Sequence, residues 1–137
     1  MNQGHSLSKI YLHIVWATYN REPMLTPTVE RMVYRCIQQQ AHRLNCTVLA
    51  MGGTADHVHL AVHTPTSVSA AQLMQRVKGV SSKLASDEGA DFAWHPGFSA
   101  FSLSRTHLGH AKYYLKNQKR HHAEANLWPE WEQIAPE

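Results

Sequence analysis

The sequence predicts an α+β fold of βαββαβ order: an antiparallel sheet with helices on one face, plus a C-terminal helix carrying Tyr114. Three observations predict it. Segments 9–18, 47–51, 57–64 and 98–104 carry β-branched, aromatic or alternating residues; 27–44, 69–86 and 107–124 show helical spacing; turn formers separate them. A chain of 137 residues with 43% hydrophobic content can bury a core without staples, so 1–137 is expected to be a single domain.

"KIYLHIVWAT" at 9–18 reads as the first strand. Thr26 followed by Pro27 is an N-cap with proline at the first helical position, and Val29, Met32, Val33, Cys36, Ile37, Ala41 and Leu44 keep one helical face to about Asn45. "TVLAM" at 47–51 is a second strand, "GGTAD" a turn, and 57–64 a third strand antiparallel to the second. Ser69 and Gln72 form a capping box for a helix to about residue 86, with a stripe of Leu73, Val77, Val80 and Leu84 and a stop at Gly89. Residues 90–97 make a loop, "FSAFSLS" at 98–104 a fourth strand and 107–124 a third helix; the closing "WPEWEQIAPE" carries no strong signal. This is the ferredoxin-like order, in which the first and third strands are central and both covering helices lie on one face.

The longest early apolar run, "IYLHIVWA" at 10–17, is too short to span a bilayer, and no cleavage pattern follows it. Cys36 and Cys46 form no C-x-x-C pair, so reduced thiols and a cytoplasmic location are expected. With 13 Lys+Arg against 10 Asp+Glu, the net charge of +3 permits a polyanionic partner without requiring one. Lys112, Lys116, Lys119 and Arg120 cluster among Tyr113, Tyr114, His121 and His122.

"TADHVHLAV" at 54–62 places His57 and His59 either side of one apolar residue. Among 11 histidines in 137 residues, chance gives very roughly 0.4 such triplets. The pair therefore needs partners elsewhere. Strand alternation sends Val58, Leu60 and Val62 to the helix-covered face and His57, His59, Ala61 and His63 to the opposite one. On a helical wheel with Tyr114 at zero, Gln118 falls near about +40° and Tyr113 near about −100°, while Leu108, Ala111 and Leu115 supply a packing side. Tyr114 and Gln118 share a stripe.

"DHVHL" at 56–60, "YLKNQ" at 114–118 and the preceding strand–helix–strand resemble the single-tyrosine HUH transposases of the smallest insertion sequences, the insertion-sequence-two-hundred type. The resemblance runs from the first strand to the third helix. It implies that His57 and His59 bind a divalent cation, Mg²⁺ or Mn²⁺, with Gln118 as third ligand and Tyr114 as nucleophile. It further implies cleavage and rejoining of single-stranded hairpin DNA through a 5′-phosphotyrosine. Two neutral imidazoles and an amide leave the ion nearly its full charge for the phosphate, and a phenol is a better leaving group than an alkyl alcohol. Candidate phosphate contacts are Arg76, Lys78, Lys83, Lys112, Lys116 and Arg120. The family's dimers imply a homodimer; the third helix can lie on its own sheet or, as the resemblance favours, be exchanged with a partner so that the active sites need both subunits. Two departures bear on DNA sequence choice: Lys116 stands where an acidic residue is frequent, and a Trp-Gly-Tyr pattern before the fourth strand survives only as Trp94, Gly97 and Phe98.

Other readings stay open on the residues alone. An inactive or domesticated DNA-binding relative would keep the same motifs. A single-stranded RNA-binding module would use the open sheet face, although "HVHLAVHT" lacks the Lys/Arg-Gly-aromatic platform of such modules. A zinc hydrolase using His57, His59 and His63 fails on geometry, because i to i+6 along a strand spans about 20 Å.

Overall fold

The structure, a computed structural model, describes residues 7–123 and Glu132. Strands β1 (Tyr11–Ala17), β2 (Thr47–Gly53), β3 (His57–His63) and β4 (Ser99–Leu103) alternate with helices α1 (Pro27–Arg43) and α2 (Ala70–Asp87), followed by α3 (Leu108–Lys116) and α4 (Gln118–Ala123). The four strands form one sheet in the order β2-β3-β1-β4, every pairing antiparallel. The predicted α+β class and the central placement of β1 and β3 are both observed.

The helix ends follow from the residues named at them. Thr26 accepts from the Val29 amide at 3.4 Å with Pro27 behind it, and Ser69 and Gln72 close a reciprocal capping box. Asn45 (φ 60°) and Gly89 (φ 88°) take the left-handed conformation that carries the chain out of α1 and α2. Among the described residues no helix is long and apolar enough to cross a membrane, and Cys36 and Cys46 are buried free thiols.

Two apolar clusters lie on the two faces of the sheet. Ile14, Trp16, Val58, Leu60 and Val62 meet α1 and α2 in the larger one, while Ala50, Ala61 and Leu103 meet Ala111, Tyr114 and Leu115 of α3 in the smaller. The alternation read from β3 thus holds: its Val and Leu residues face the paired helices, and His57 and His59 face α3. Within the single chain α3 packs on its own sheet, against β2 and β3.

Three expectations need correction. Gly52 and Gly53 belong to β2, not to the turn. Gly52 pairs with His59 and lies directly under α3, where an added methyl carbon would stand 1.6 Å from the Leu115 carbonyl oxygen. Secondly, the helix expected over 107–124 is broken: Asn117 leaves helical geometry (φ −109°, ψ 26°), and its side-chain amide donates to the Tyr113 carbonyl at 2.8 Å, competing with helix continuation. Thirdly, Val80 and Leu84 are about two-fifths exposed; α2 instead buries Leu73, Met74, Val77, Ser81 and Ala85. Ser81 is acceptable there because it donates to the Val77 carbonyl at 2.6 Å and accepts from the Trp94 indole at 2.9 Å.

Gly52→Ala should therefore destabilise the protein by about 1–3 kcal/mol or more, since a backbone atom must move. Gly79, in α2 with nothing within 4 Å of an added methyl, should respond oppositely, Gly79→Ala gaining up to about 1 kcal/mol. Thermal melts of both variants check the pair.

Candidate functional site

β3 delivers His57 and His59 to the face under α3, and both rings are fully buried. Burying imidazoles is costly unless their nitrogens are satisfied, and each Nδ1 has a partner. His57 Nδ1 lies 2.7 Å from Asp56 Oδ1 and 2.9 Å from Thr54 Oγ1. His59 Nδ1 lies 2.8 Å from Nε2 of His13, which stacks on it from β1. Burial, with His59 adding to it, takes His13 down to about 3, so its neutral ring can accept from His59 Nδ1–H. Asp56, an acceptor only, places a His57 proton on Nδ1, and the Nε2 atoms of both rings point into the site. Among the described residues His57 Nε2 makes no well-aligned hydrogen bond.

On the other side stand Tyr114 and Gln118, each about 1% exposed. The Tyr114 hydroxyl donates to Glu132 Oε2, and Gln118 Nε2 donates to the same oxygen at 3.2 Å. Glu132 Oε1 faces His57, His59 and His122, whose Nε2 atoms lie 3.4, 3.3 and 3.1 Å away. Burial alone would raise the Glu132 carboxyl, but the adjacent His57 and His59 rings hold it well below the usual carboxylate range. Asp56 is likewise held low against burial by His57 and Arg21. Burial lowers His59 and His122; for His57, burial is outweighed by Asp56 and Glu132 and the net direction is up.

One donor atom from each of His57, His59, His122 and Glu132 lies within 4.8 Å of the others, close enough to share one metal ion. The donor chemistry fits a divalent cation: imidazole nitrogens already oriented from behind, with a carboxylate and the Gln118 amide alongside.

The structure therefore brings His57, His59, Tyr114 and Gln118 together. Tyr113 is 56% exposed on another side of α3. Lys112, Lys116 and Arg120 lie on the same side of the sheet as the site, with Lys116 and Arg120 lining a cleft between α4 and β2. Arg76, Lys78 and Lys83 are not brought to it. They sit on α2, across the sheet, where Arg76 donates to Gln40, Lys78 to the His95 and Gly97 carbonyls, and Lys83 pairs with Asp87. His63 turns to the Ser8 carbonyl. The open aromatic platform that an RNA-binding sheet requires is absent among the described residues, because α3 covers that face.

Four contributors escaped the sequence reading: His13, Asp56, His122 and Glu132. His122 had a signal, since 114, 118 and 122 continue one i, i+4 row. Glu132 had none; it lies in the closing segment, whose other residues, like the His121 side chain, lie outside the described residues.

A family model described as "Transposase IS200 like" matches residues 6–118. Among solved structures, a protein from Deinococcus radiodurans R1 assigned as a transposase superposes with a TM-score of 0.65 at 20% identity, covering 86% of this chain and 98% of its own. A REP-associated tyrosine transposase bound to a REP hairpin gives 0.66 at 14% identity, covering 94% of this chain and 79% of its own. No curated protein sequence matches.

Because Asp56 fixes the His57 tautomer from behind, Asp56→Asn should weaken Mn²⁺ binding by about 10–100-fold, as read by titration calorimetry.

Proposed function

From the premise that the chain belongs to the IS200-like transposase family, we propose that it cuts and rejoins single-stranded DNA by transesterification, with Tyr114 as nucleophile and a divalent cation, Mg²⁺ or Mn²⁺, held by His57, His59 and Gln118. One observation carries the reading. The Tyr114 hydroxyl, on α3, is buried against the same carboxylate that the β3 histidines face.

The residues have distinct tasks. Tyr114 loses its proton and its oxygen attacks the scissile phosphorus; the bond to the 3′ oxygen breaks, that oxygen leaves as a 3′-hydroxyl after taking a proton, and the 5′ phosphate stays on the tyrosine. The step exchanges one phosphodiester for another, so it reverses without ATP. A cation bound there supplies charge neutralisation at the non-bridging phosphate oxygens. Asp56 and His13 hold the imidazoles in the ligating tautomer. α3, sealed on Gly52, keeps Tyr114 beside them and excludes bulk water.

The DNA reading draws on the hairpin bound by the REP-associated relative and on Lys112, Lys116 and Arg120 beside the site. These three, rather than the α2 cations, are the phosphate contacts favoured by position. Binding should weaken steeply with salt as counterions are released. Arg76, Lys78 and Lys83 could reach DNA only if it wrapped around the sheet edge.

Incubation with a labelled single-stranded hairpin end and Mn²⁺ should give a covalent adduct that survives denaturing electrophoresis. Tyr114→Phe should abolish the adduct while keeping hairpin affinity within a few-fold; an adduct mapped to Tyr113 would overturn the assignment. With α3 seated on its own sheet, a mixture of His57→Ala and Tyr114→Phe proteins should remain inactive, even if the protein is a homodimer. Recovery of cleavage in the mixture would show that α3 is exchanged between subunits.

A further inference from the structure

Glu132 is placed oddly for a carboxylate that is merely hydrogen-bonded. Its Oε1 sits 3.1–3.4 Å from three imidazole Nε2 atoms at once, those of His122, His59 and His57. A cation among the four groups would meet one donor atom from each, all within 4.8 Å of one another. Ligands about 2.1 Å from a common ion stand about 3.0 Å apart across an octahedral edge and about 3.4 Å apart across a tetrahedral one. The three Oε1–Nε2 separations fall in that interval.

We propose that His122 and Glu132 are themselves metal ligands, closing with His57 and His59 a three-histidine, one-carboxylate shell around a single divalent cation. The proposal rests on the reading above that the β3 histidines hold a metal, and extends it to residues at the C-terminal end. Gln118 is compatible with it, its Oε1 being 3.0 Å from His122 Nε2, on the same polyhedron. Glu132 then bridges two parts of the chemistry, one oxygen on the ion and the other accepting from the Tyr114 hydroxyl. Three imidazoles favour Mn²⁺, Co²⁺ or Zn²⁺ over Mg²⁺, which prefers oxygen donors.

The test is calorimetric titration of the full-length protein with Mn²⁺, alongside the visible absorption spectrum of the Co²⁺-loaded protein, for wild type, Glu132→Gln, His122→Ala and His59→Ala. Circular dichroism confirms that each variant is folded, and Glu132→Asp serves if the glutamine variant is not. Wild type should bind one ion. Glu132→Gln and His122→Ala should each lose at least about 10-fold in affinity and should alter the Co²⁺ spectrum at saturation; His59→Ala should lose binding. If Glu132→Gln and His122→Ala bind like wild type, or show an unchanged saturated spectrum, while His59→Ala does not bind, the added ligands are wrong and the β3 site stands. If His59→Ala also binds like wild type, both readings fall.

Discussion

The backbone approach of α3 to β2 at Gly52 is the contact on which the site depends. β3 can point His57 and His59 away from the α1–α2 layer by alternation alone, but alternation only puts them on the other face. They become buried because α3 comes down until the Leu115 carbonyl occupies the space a Gly52 side chain would fill. Gly52 is the cross-strand partner of His59, so the closest helix–sheet contact falls beside a site histidine. Ala50, Ala61 and Ala111 keep the neighbouring contact shallow. Any larger residue along this seam would lift Tyr114 away from the imidazoles.

Sealing that face creates a second problem, because it traps polar groups between two apolar layers. His13, His57, His59 and Gln118 are all buried, and each would cost free energy if left unsatisfied. The solution is directional. Asp56 and His13 take up the nitrogens on the sheet side, leaving the others aimed inward at Glu132, Tyr114 and Gln118. The result is pre-organised: a metal cation entering it would meet donor atoms already aligned, with little reorganisation left to perform. The proposed donor set adds His122 and Glu132 to the all-neutral one the resemblance implied. A carboxylate among the ligands would lower the net charge offered to a phosphate, while its second oxygen accepts from the Tyr114 hydroxyl.

Much of this was legible in the sequence because it is local or periodic. The caps at Thr26 and Ser69, the ends at Asn45 and Gly89 and the two faces of β3 follow from neighbouring residues, and so does the separation of Tyr114 from Tyr113. What could not be read depends on contacts between distant segments. Gly52 and Gly53 look like a turn until a helix is known to lie on them. Val80 and Leu84 fit the helical period as well as Ser81 and Ala85 do, and the buried side is decided by packing on α1 and the sheet, with the Trp94 indole satisfying Ser81. The break at Asn117 turns on one side-chain amide reaching a carbonyl. Glu132 has no sequence context pointing to β3, and the α2 cations match a DNA-binding composition while lying across the sheet from the histidines.

Whether Tyr114 meets its own chain's histidines is a question of tether length. α3 starts at the β4 end, where Leu103 and Leu108 belong to the same apolar cluster, and reaches β2 at Leu115. Those two strands are the outer members of the sheet, separated by three strand spacings, about 14 Å. A nine-residue helix such as α3 has a length of about 13.5 Å, so it bridges that distance in one diagonal pass. Only residues 104–107, mostly one tight 3-10 turn, join β4 to it. Fully extended, such a link reaches about 14 Å, and extending it would forfeit the turn's own hydrogen bonds. Exchange would thus require a second sheet lying directly beside β4. The exchanged helix would gain no contact that it lacks on its own sheet, where Lys119 of α4 also reaches the Gly53 carbonyl and Glu30 of α1. The short link therefore favours a nucleophile and histidines drawn from one chain.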